Sequence, residues 1–481
     1  MEPRPWKYPR SYLRLVSVIT SFAAILTPLD STIVSISLPY IARGVGATYV
    51  EALWVPLGYL VSLSALLLLF GRLGDLRGRK RVFTTGFLVF IVGTVMCALS
   101  SNGLELDAWR AVQGLGGAMI LSNSGAIITE TYPPWERGKA FGYWSLAVYT
   151  GTTVGPFLGG AIVSARYILG VPSWRWVFLA TVPPAVVGYA LSAAYLRESE
   201  SLAEGSLDLP AGLLALAGIW AALAGVTEGS FEGWGAEYVA LVAAGAALLA
   251  GFVARELRMG RGALLDLALF RSVPFAAGNV AALLNYTGYF FVPFFLSYYM
   301  EVVLRMSPLL ASVPLMALSL AMVTLSPVSG WLSDRIGARP LATAGMVLMA
   351  AGMALLIPLG LTASVADVLW RAVLIGAGMG LFSSPNTASV MGAAPRDRLA
   401  VASGTLSVMR FAGQSLSLAI AGSLASAYIP RPILVYVFTG LRVGSVQAAG
   451  PAFVEGLRRV YEVMVFLIAA GAAASALRGR H

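Results

Sequence analysis

The sequence predicts an all-α integral membrane protein: two pseudo-symmetric six-helix bundles with two helices inserted between them, fourteen transmembrane helices in all. Three observations predict it. The 481-residue chain is 58% hydrophobic and 12% charged, more apolar surface than one aqueous core could hide. Its charges are clustered, leaving apolar runs that approach or exceed the roughly 20 residues a helix needs to cross a bilayer. Two motifs also recur half a chain apart, as an internally repeated membrane fold requires.

The runs follow in order. A basic flank, MEPRPWKYPRSYLR, leads into Leu15 to Ala42, interrupted only by Asp30. With a central acid and no small-residue cleavage pattern, this reads as a first membrane helix and not a removable signal. Next come Ala52 to Gly71, Val82 to Leu104, Ala111 to Thr129, Ala140 to Ala165 and Trp176 to Leu196. Leu209 to Thr227 and Tyr238 to Ala254 form a pair flanked by the charged connectors RESESLAEGSLD and RELRMGRGALLD, which read as solvated linkers. Ser272 to Met300, Met306 to Ser333, Pro340 to Ala366, Ala372 to Pro395, Leu399 to Pro430 (with Arg410 inside) and Val463 to Leu477 complete the set. An outer loop at about Ile429 to Glu455, amphipathic enough to fold on the surface, precedes the last span.

The repeat assigns these runs to halves. Trp109-Arg-Ala-Val112 recurs as Trp370-Arg-Ala-Val373 and Gly71-x-Leu-x-Asp75-x-x-Gly78-x-Lys80 as Gly330-x-Leu-x-Asp334-x-x-Gly337-x-Arg339, at offsets of 261 and 259 residues. Residues 1–196 are therefore an N-terminal six-helix bundle, 197–271 a linker carrying the two extra helices, and 272–481 a C-terminal six-helix bundle.

Charge sorts the protein's partners. With a cytoplasmic amino terminus, the inner loops and tails hold the larger share of the 33 Lys and Arg. This positive-inside pattern orients a multi-pass protein in the cell membrane with both termini cytoplasmic and anionic lipid heads beside it. The net charge of +10 is thereby accounted for without nucleic acid. Cys97 is the only cysteine and His481, at the end, the only histidine, which excludes disulfides and cysteine-ligated metal and leaves proton handling to carboxylates. No Walker lysine motif is present. No cofactor or metal is expected, and the chain is not read as an enzyme.

Asp30 is the first candidate for chemistry. It is the only charge in the 28 residues between Arg14 and Arg43, and an ionised carboxylate at that depth costs about 2.5 to 3.5 kcal/mol. Thr27 and Ser37 extend its polar helical face. A titratable group so placed can respond to a proton gradient; the plainer role is a neutral hydrogen-bond partner between helices. Arg110, with Gln113 and Gly117 on its face, sits near the mouth of the fourth span, where it can stabilise a nearby acid or simply snorkel.

Gly71, Gly74, Asp75, Arg79 and Lys80, with Asp334, Arg335 and Arg339 in the second copy, form a candidate conformational gate. The glycines permit a tight turn, and Asp75 can meet helix amino-terminal amides or an Arg on the neighbouring helix pair. Gly151, Gly155, Pro156 and Gly159 offer bare backbone and a bend for close helix packing. Asn285, Tyr286 and Tyr289, with Asn386 and Arg410, are candidate substrate-binding residues, because rings with a few amides suit an apolar or cationic guest. Glu301 reads as an exposed loop edge, and Asn285-Tyr-Thr287 as a false glycosylation match inside a span.

Five stretches together resemble a known family. GRLGDLRGRK is similar to the loop signature of the major facilitator superfamily and RAVQGLGGAM (Arg110 to Met119) to its fourth-helix motif. GTTVGPFLGG (Gly151 to Gly160) resembles the antiporter motif of the fifth helix. LDSTIVSISLP (Leu29 to Pro39) and SWRWVFLATVPP (Ser173 to Pro184) resemble signatures of the fourteen-helix drug:proton antiporter branch. The resemblance implies a twelve-helix transporter core with two extra helices, alternating access and proton-coupled export of hydrophobic or cationic small molecules. It links Arg110 to proton transfer and the fifth-helix motif to antiport. The expected partners are a small-molecule substrate, protons and membrane lipids, the expected state a monomer. Export of a lipid or a specific metabolite is the alternative; a non-transporting intramembrane enzyme or scaffold is the rival from another class.

Overall fold

The structure is a computed structural model that describes residues 7–133, 136–199, 207–259, 263–395, 398–439 and 449–478. It is almost entirely helical. In the first half run α1 (Arg10–Val45), α2 (Tyr49–Arg77), α3 (Arg79–Leu99), α4 (Gly103–Thr131) and α5 (Arg137–Ser164), then a hairpin of β1 (Tyr167–Ile168) and β2 (Val171–Pro172), then α6 (Ser173–Leu179) and α7 (Val182–Tyr195). The inserted pair is α8 (Leu209–Glu232) and α9 (Ala236–Met259). The second half contains α10 (Val273–Tyr289), α11 (Phe291–Tyr298), a π turn at Tyr299–Val303, α12 (Pro308–Ile336), α13 (Ala338–Ala354), α14 (Val365–Gly392), α15 (Leu399–Tyr428), α16 (Arg431–Thr439) and α17 (Ala449–Ala476).

Local chemistry sets the boundaries. Thr48 and Glu51 close a capping box on α2, and Ser364 with Asp367 does the same for α14; each satisfies orphan amide donors at a helix start. At Gly78 (φ 105°) and its repeat partner Gly337 (φ 87°) the backbone enters a region that side chains avoid. In GRLGDLRGRK the tight turn that the glycines permit is therefore confined to one residue. The stretch is helix throughout except at Gly78, which ends α2 and starts α3.

Among the described residues, twelve helices are long and apolar enough to span a bilayer. The other two expected spans are helical but weaker by that measure. α13 has 17 residues, and α15, though 30 residues long, is interrupted by Arg410, Gln414 and serines. Two spans read as continuous are broken: the sixth at Ala180–Thr181 before Pro183-Pro184, the ninth at Phe290 before Pro293. Parts of the long outer loop do fold, as α16 and as the start of α17; residues 440–448 lie outside the described residues, as do parts of both charged connectors.

The halves pack alike. α1 lies on α5 and α4 on α2 and α3, while α14 lies on α12 and α13. Between halves, α5 meets α12 and α2 meets α15. The inserted α8 touches both α2 and α15: Trp54 stacks on Trp220 at 4.4 Å and donates to Thr227 Oγ1 at 3.2 Å, and Ser423 of α15 donates to Val226 O at 3.4 Å. The outer partner α9 has only 6% of its most apolar stretch buried, as a lipid-facing helix would.

Candidate functional site

Asp30 does not stand alone in α1. Its Oδ2 accepts from Arg110 Nη1 of α4 at 2.7 Å, with side-chain exposures of 0% and 1%. Gln113, one turn along α4, closes the pair: its Oε1 accepts from Arg110 Nη1 at 2.5 Å and its Nε2 donates to Asp30 Oδ1 at 2.9 Å and to Thr94 Oγ1 at 2.7 Å. Arg110 Nε donates to Val55 O of α2 at 2.8 Å, and its guanidinium stands 4.6 Å from the Tyr59 ring centroid. Four helices therefore converge on one buried ion pair.

Glycines bring those helices close enough. A Cβ at Gly114 would strike Tyr59 O of α2, and one at Gly116 would strike Phe90 of α3. Behind α1, Gly151 faces Ile25 O at 2.5 Å from a would-be Cβ, Gly155 faces Thr32, and Gly159 faces Ile33 O at 2.7 Å; Pro156 lies inside the same helix. The stripe presses α5 onto one side of α1 while Asp30 is presented to α4 on another. Gly160 points elsewhere, to Pro308 O of α12 at 2.8 Å.

The loop signature makes a different network from the one the sequence suggested. Asp75 Oδ1 pairs with Arg79 Nη2 at 2.8 Å, one turn on, and Arg79 Nη1 reaches Glu130 Oε2 of α4 at 3.1 Å. The amides at the start of α3 are taken instead by Glu198: its Oε1 accepts from Lys80 N at 3.0 Å and its Oε2 from Arg81 N at 3.2 Å. Ser199 Oγ adds a bond to Glu130 Oε2 at 2.9 Å. A Cβ on Gly78 would lie 2.5 Å from the Glu198 carboxyl carbon, so the glycine makes room for the cap. The first connector therefore begins as a folded clasp within the N-terminal bundle. Gly74 lies against Asn123 and Gly71 near Ser122. In the second copy Arg335 lies 3.9 Å from the Trp331 ring, Arg339 is exposed, and the Asp334 side chain lies outside the described residues.

The candidate substrate residues separate into two groups. Tyr286 and Arg410 come together, the guanidinium 6.0 Å from the ring centroid, with Arg410 Nη2 donating to Thr387 Oγ1 at 2.5 Å. Asn285 and Asn386 do not join them. Asn285 is fully buried with its Nδ2 3.9 Å from Met349 Sδ of α13, and Asn386 accepts from Arg478 at the end of α17. Each sits one residue from a group that does face Arg410, and consecutive residues on a helix point about 100° apart. Tyr289 is buried, 7% exposed. Thr387, Ser383 and Tyr149, which share the Arg410 neighbourhood, went unselected because lone hydroxyls carry little sequence signal. Burial pushes the Arg478 guanidinium down, to about 10.

At the end opposite the termini the bundles touch. Tyr49 Oη donates to Gly422 O at 2.7 Å, and Tyr40 of α1 lies beside Glu301 in the π turn. Glu301 is thus no exposed loop edge; it is half-buried and accepts from Ser297 Oγ at 2.8 Å. Nearer the middle, Tyr149 and Ser326 share a hydrogen bond of 2.6 Å between α5 and α12.

Comparison with known proteins agrees with this architecture. The family model described as "Major Facilitator Superfamily" matches residues 20–418. An uncharacterized transporter, YebQ, of Escherichia coli K12 is 30% identical over 455 residues, covering 94% of this chain and 96% of its own. The tetracenomycin C resistance and export protein of Streptomyces glaucescens is 31% identical over 435 residues, 89% of this chain and 77% of that one. Among solved structures, a bacterial homolog of the human lysosomal transporter Spinster, inward-facing and unoccupied, superposes with TM-score 0.70 at 18% identity, covering 98% of each chain.

Proposed function

The chain belongs to the major facilitator superfamily, and from that membership we propose that it is a proton-coupled exporter of hydrophobic small molecules, working by alternating access in the cell membrane with both termini cytoplasmic. Transport itself follows from the family; export draws support from the named relative that exports an antibiotic.

Proton coupling rests on one observation, the fully buried Asp30–Arg110 pair bridged by Gln113. Removing two charges from water is costly, and their attraction repays this only with good geometry. Protonating Asp30 neutralises the carboxylate and leaves Arg110 uncompensated, so the α1–α4 contact differs in energy between the two protonation states. That difference can bias one bundle arrangement over the other. Because Asp30 has no exposed surface here, a proton reaches it only when α1 and α4 part, which ties proton entry to the conformational change. The energy suffices: one charge crossing 100 mV is worth about 2.3 kcal/mol, roughly a 50-fold concentration ratio.

The expected guest was hydrophobic or cationic. Arg410 beside Tyr286 disfavours the cationic part, since the ring's face is already turned to a guanidinium. The test is proton flux. Purified protein in vesicles with an imposed proton gradient is given hydrophobic aromatic probes, and wild type should move protons only when a probe is present. Flux that ignores every probe, or persists unchanged in Asp30→Asn, defeats the proposal.

A further inference from the structure

We infer that the transported guest is an aromatic anion whose acidic group docks on Arg410 in the seam between the bundles. The inference rests on the transport reading above and names the substrate class of that same site.

The imbalance of charge carries it. The N-terminal bundle holds its buried arginine against a carboxylate, Arg110 against Asp30 at 2.7 Å. Arg410 has no such partner: among the described residues no carboxylate lies within 4.0 Å of it, and its Nε is buried with no hydrogen-bond partner at all. Its one protein acceptor is the neutral Thr387 hydroxyl. A cation within a membrane span is costly and marks a ligand or ion path unless the protein neutralises it. Here the neutralising charge must arrive with the guest.

The surroundings fit that guest. Thr387 and Ser383 are one turn apart on α14, linked by a bond from Thr387 Oγ1 to Ser383 O at 2.8 Å. Tyr149, from the other bundle, shares a hydrogen bond of 2.6 Å with Ser326 of α12. A guanidinium, two phenol rings and hydroxyl groups therefore converge from α5, α10, α12, α14 and α15. Tyr149, Tyr286, Thr387 and Arg410 are all only half-buried, unlike Asp30 and Arg110, so they retain surface that a guest can cover. The planar fork of Arg410 presents its Nη hydrogens to a carboxylate or phenolate oxygen, and the rings of Tyr286 and Tyr149 offer faces for an aromatic body. Tyr149 gives the guest a means to report occupancy across the seam, because its bond to Ser326 competes with a bond to a docked acid.

Three probes of one size and different charge test this on the purified full-length protein by titration calorimetry: 2-naphthoate, its methyl ester and 2-naphthylmethylammonium. A charge-assisted hydrogen bond predicts that naphthoate binds roughly tenfold or more tightly than the ammonium probe. Arg410→Gln should remove that advantage while weakening the methyl ester far less, and Arg410→Lys should keep part of it. Ester binding verifies that the variants are folded; if Arg410→Gln does not fold, the ranking of the three probes on wild type decides. Ammonium binding as tight as naphthoate, no measurable naphthoate binding to wild type, or naphthoate affinity untouched in a folded Arg410→Gln each overturns the inference. Probe-dependent proton flux, measured separately in vesicles, tests the coupling reading: an anion preference without flux sinks the coupling and leaves the anion site standing.

Discussion

Arg110 Nη1 lies 2.7 Å from Asp30 Oδ2, with neither side chain more than 1% exposed. Breaking such a pair from one side leaves a buried uncompensated charge and costs about 3 to 5 kcal/mol. Asp30→Asn should therefore lose gradient-driven export and also melt at lower temperature. The double variant Asp30→Asn/Arg110→Gln, which removes both charges and keeps hydrogen-bonding groups, should regain much of the thermal stability but none of the pH-coupled transport. Thermal unfolding and vesicle proton flux, read on the same preparations, separate the two roles. Coupled transport in the double variant would remove the pair from the proton path.

The glycine stripe of α5 makes a graded prediction. A methyl at Gly151 meets Ile25 O at 2.5 Å, a backbone atom with nowhere to move, whereas a methyl at Gly155 first meets the Thr32 side chain. Gly151→Ala should cost about 1 to 3 kcal/mol, the usual range for overpacking. Gly155→Ala should also destabilise, but Thr32→Ala in the same chain should relieve part of the loss, while it should do nothing for Gly151→Ala. Thermal unfolding of the four variants checks it; equal rescue of both glycine substitutions would show that Thr32 is not the obstacle.

Much of this was legible in the sequence. The apolar runs and the repeat placed the helices, because hydropathy and glycine periodicity are properties of contiguous residues. Asp30 and Arg110 were legible one at a time, since a charge inside a span is conspicuous. Their pairing was not, because it depends on how α1 and α4 approach across a sequence separation of 80 residues. Asn285 and Asn386 show the opposite failure. An amide in a span attracts notice, yet a rotation of one residue decides whether it faces the seam or the bundle interior, and composition does not fix that rotation. Glu198 looked like part of a solvated linker, because nothing local reveals that a carboxylate will reach amides 118 residues away.

That clasp is open to test. With Glu198 accepting from Lys80 N and Arg81 N, it serves as an amino-terminal cap supplied from a distant segment. Glu198→Ala should cost about 0.5 to 2 kcal/mol, as loss of a helix cap does, and Glu198→Gln less, since an amide oxygen still accepts. Gly78→Ala should be worse than either alone, as it combines the φ of 105° with a methyl driven into the carboxylate. Thermal unfolding ranks the variants. Local hydrogen exchange at Lys80 and Arg81 should quicken in Glu198→Ala; unchanged exchange there would mean that the cap is not formed in solution.

Arg478 yields a prediction of opposite sign. Its side chain is 1% exposed, one guanidinium nitrogen is bonded to Asn386 Oδ1, and Nε and Nη1 are buried without partners among the described residues. Buried unpaired donors on a charged group cost more than one hydrogen bond returns. Arg478→Gln keeps a donor in reach of Asn386 while deleting the charge and two orphan donors, so it should stabilise the C-terminal bundle by about 1 kcal/mol or more. Asn386→Leu, which strips Arg478 of its acceptor, should destabilise, and adding Arg478→Met to it should recover most of that loss by replacing a stranded charge with apolar packing. A melting temperature lowered by Arg478→Gln would mean that the guanidinium is neutralised by a group bound there in the native membrane, and native mass spectrometry of wild type against Arg478→Gln would then reveal a retained anion such as a phospholipid.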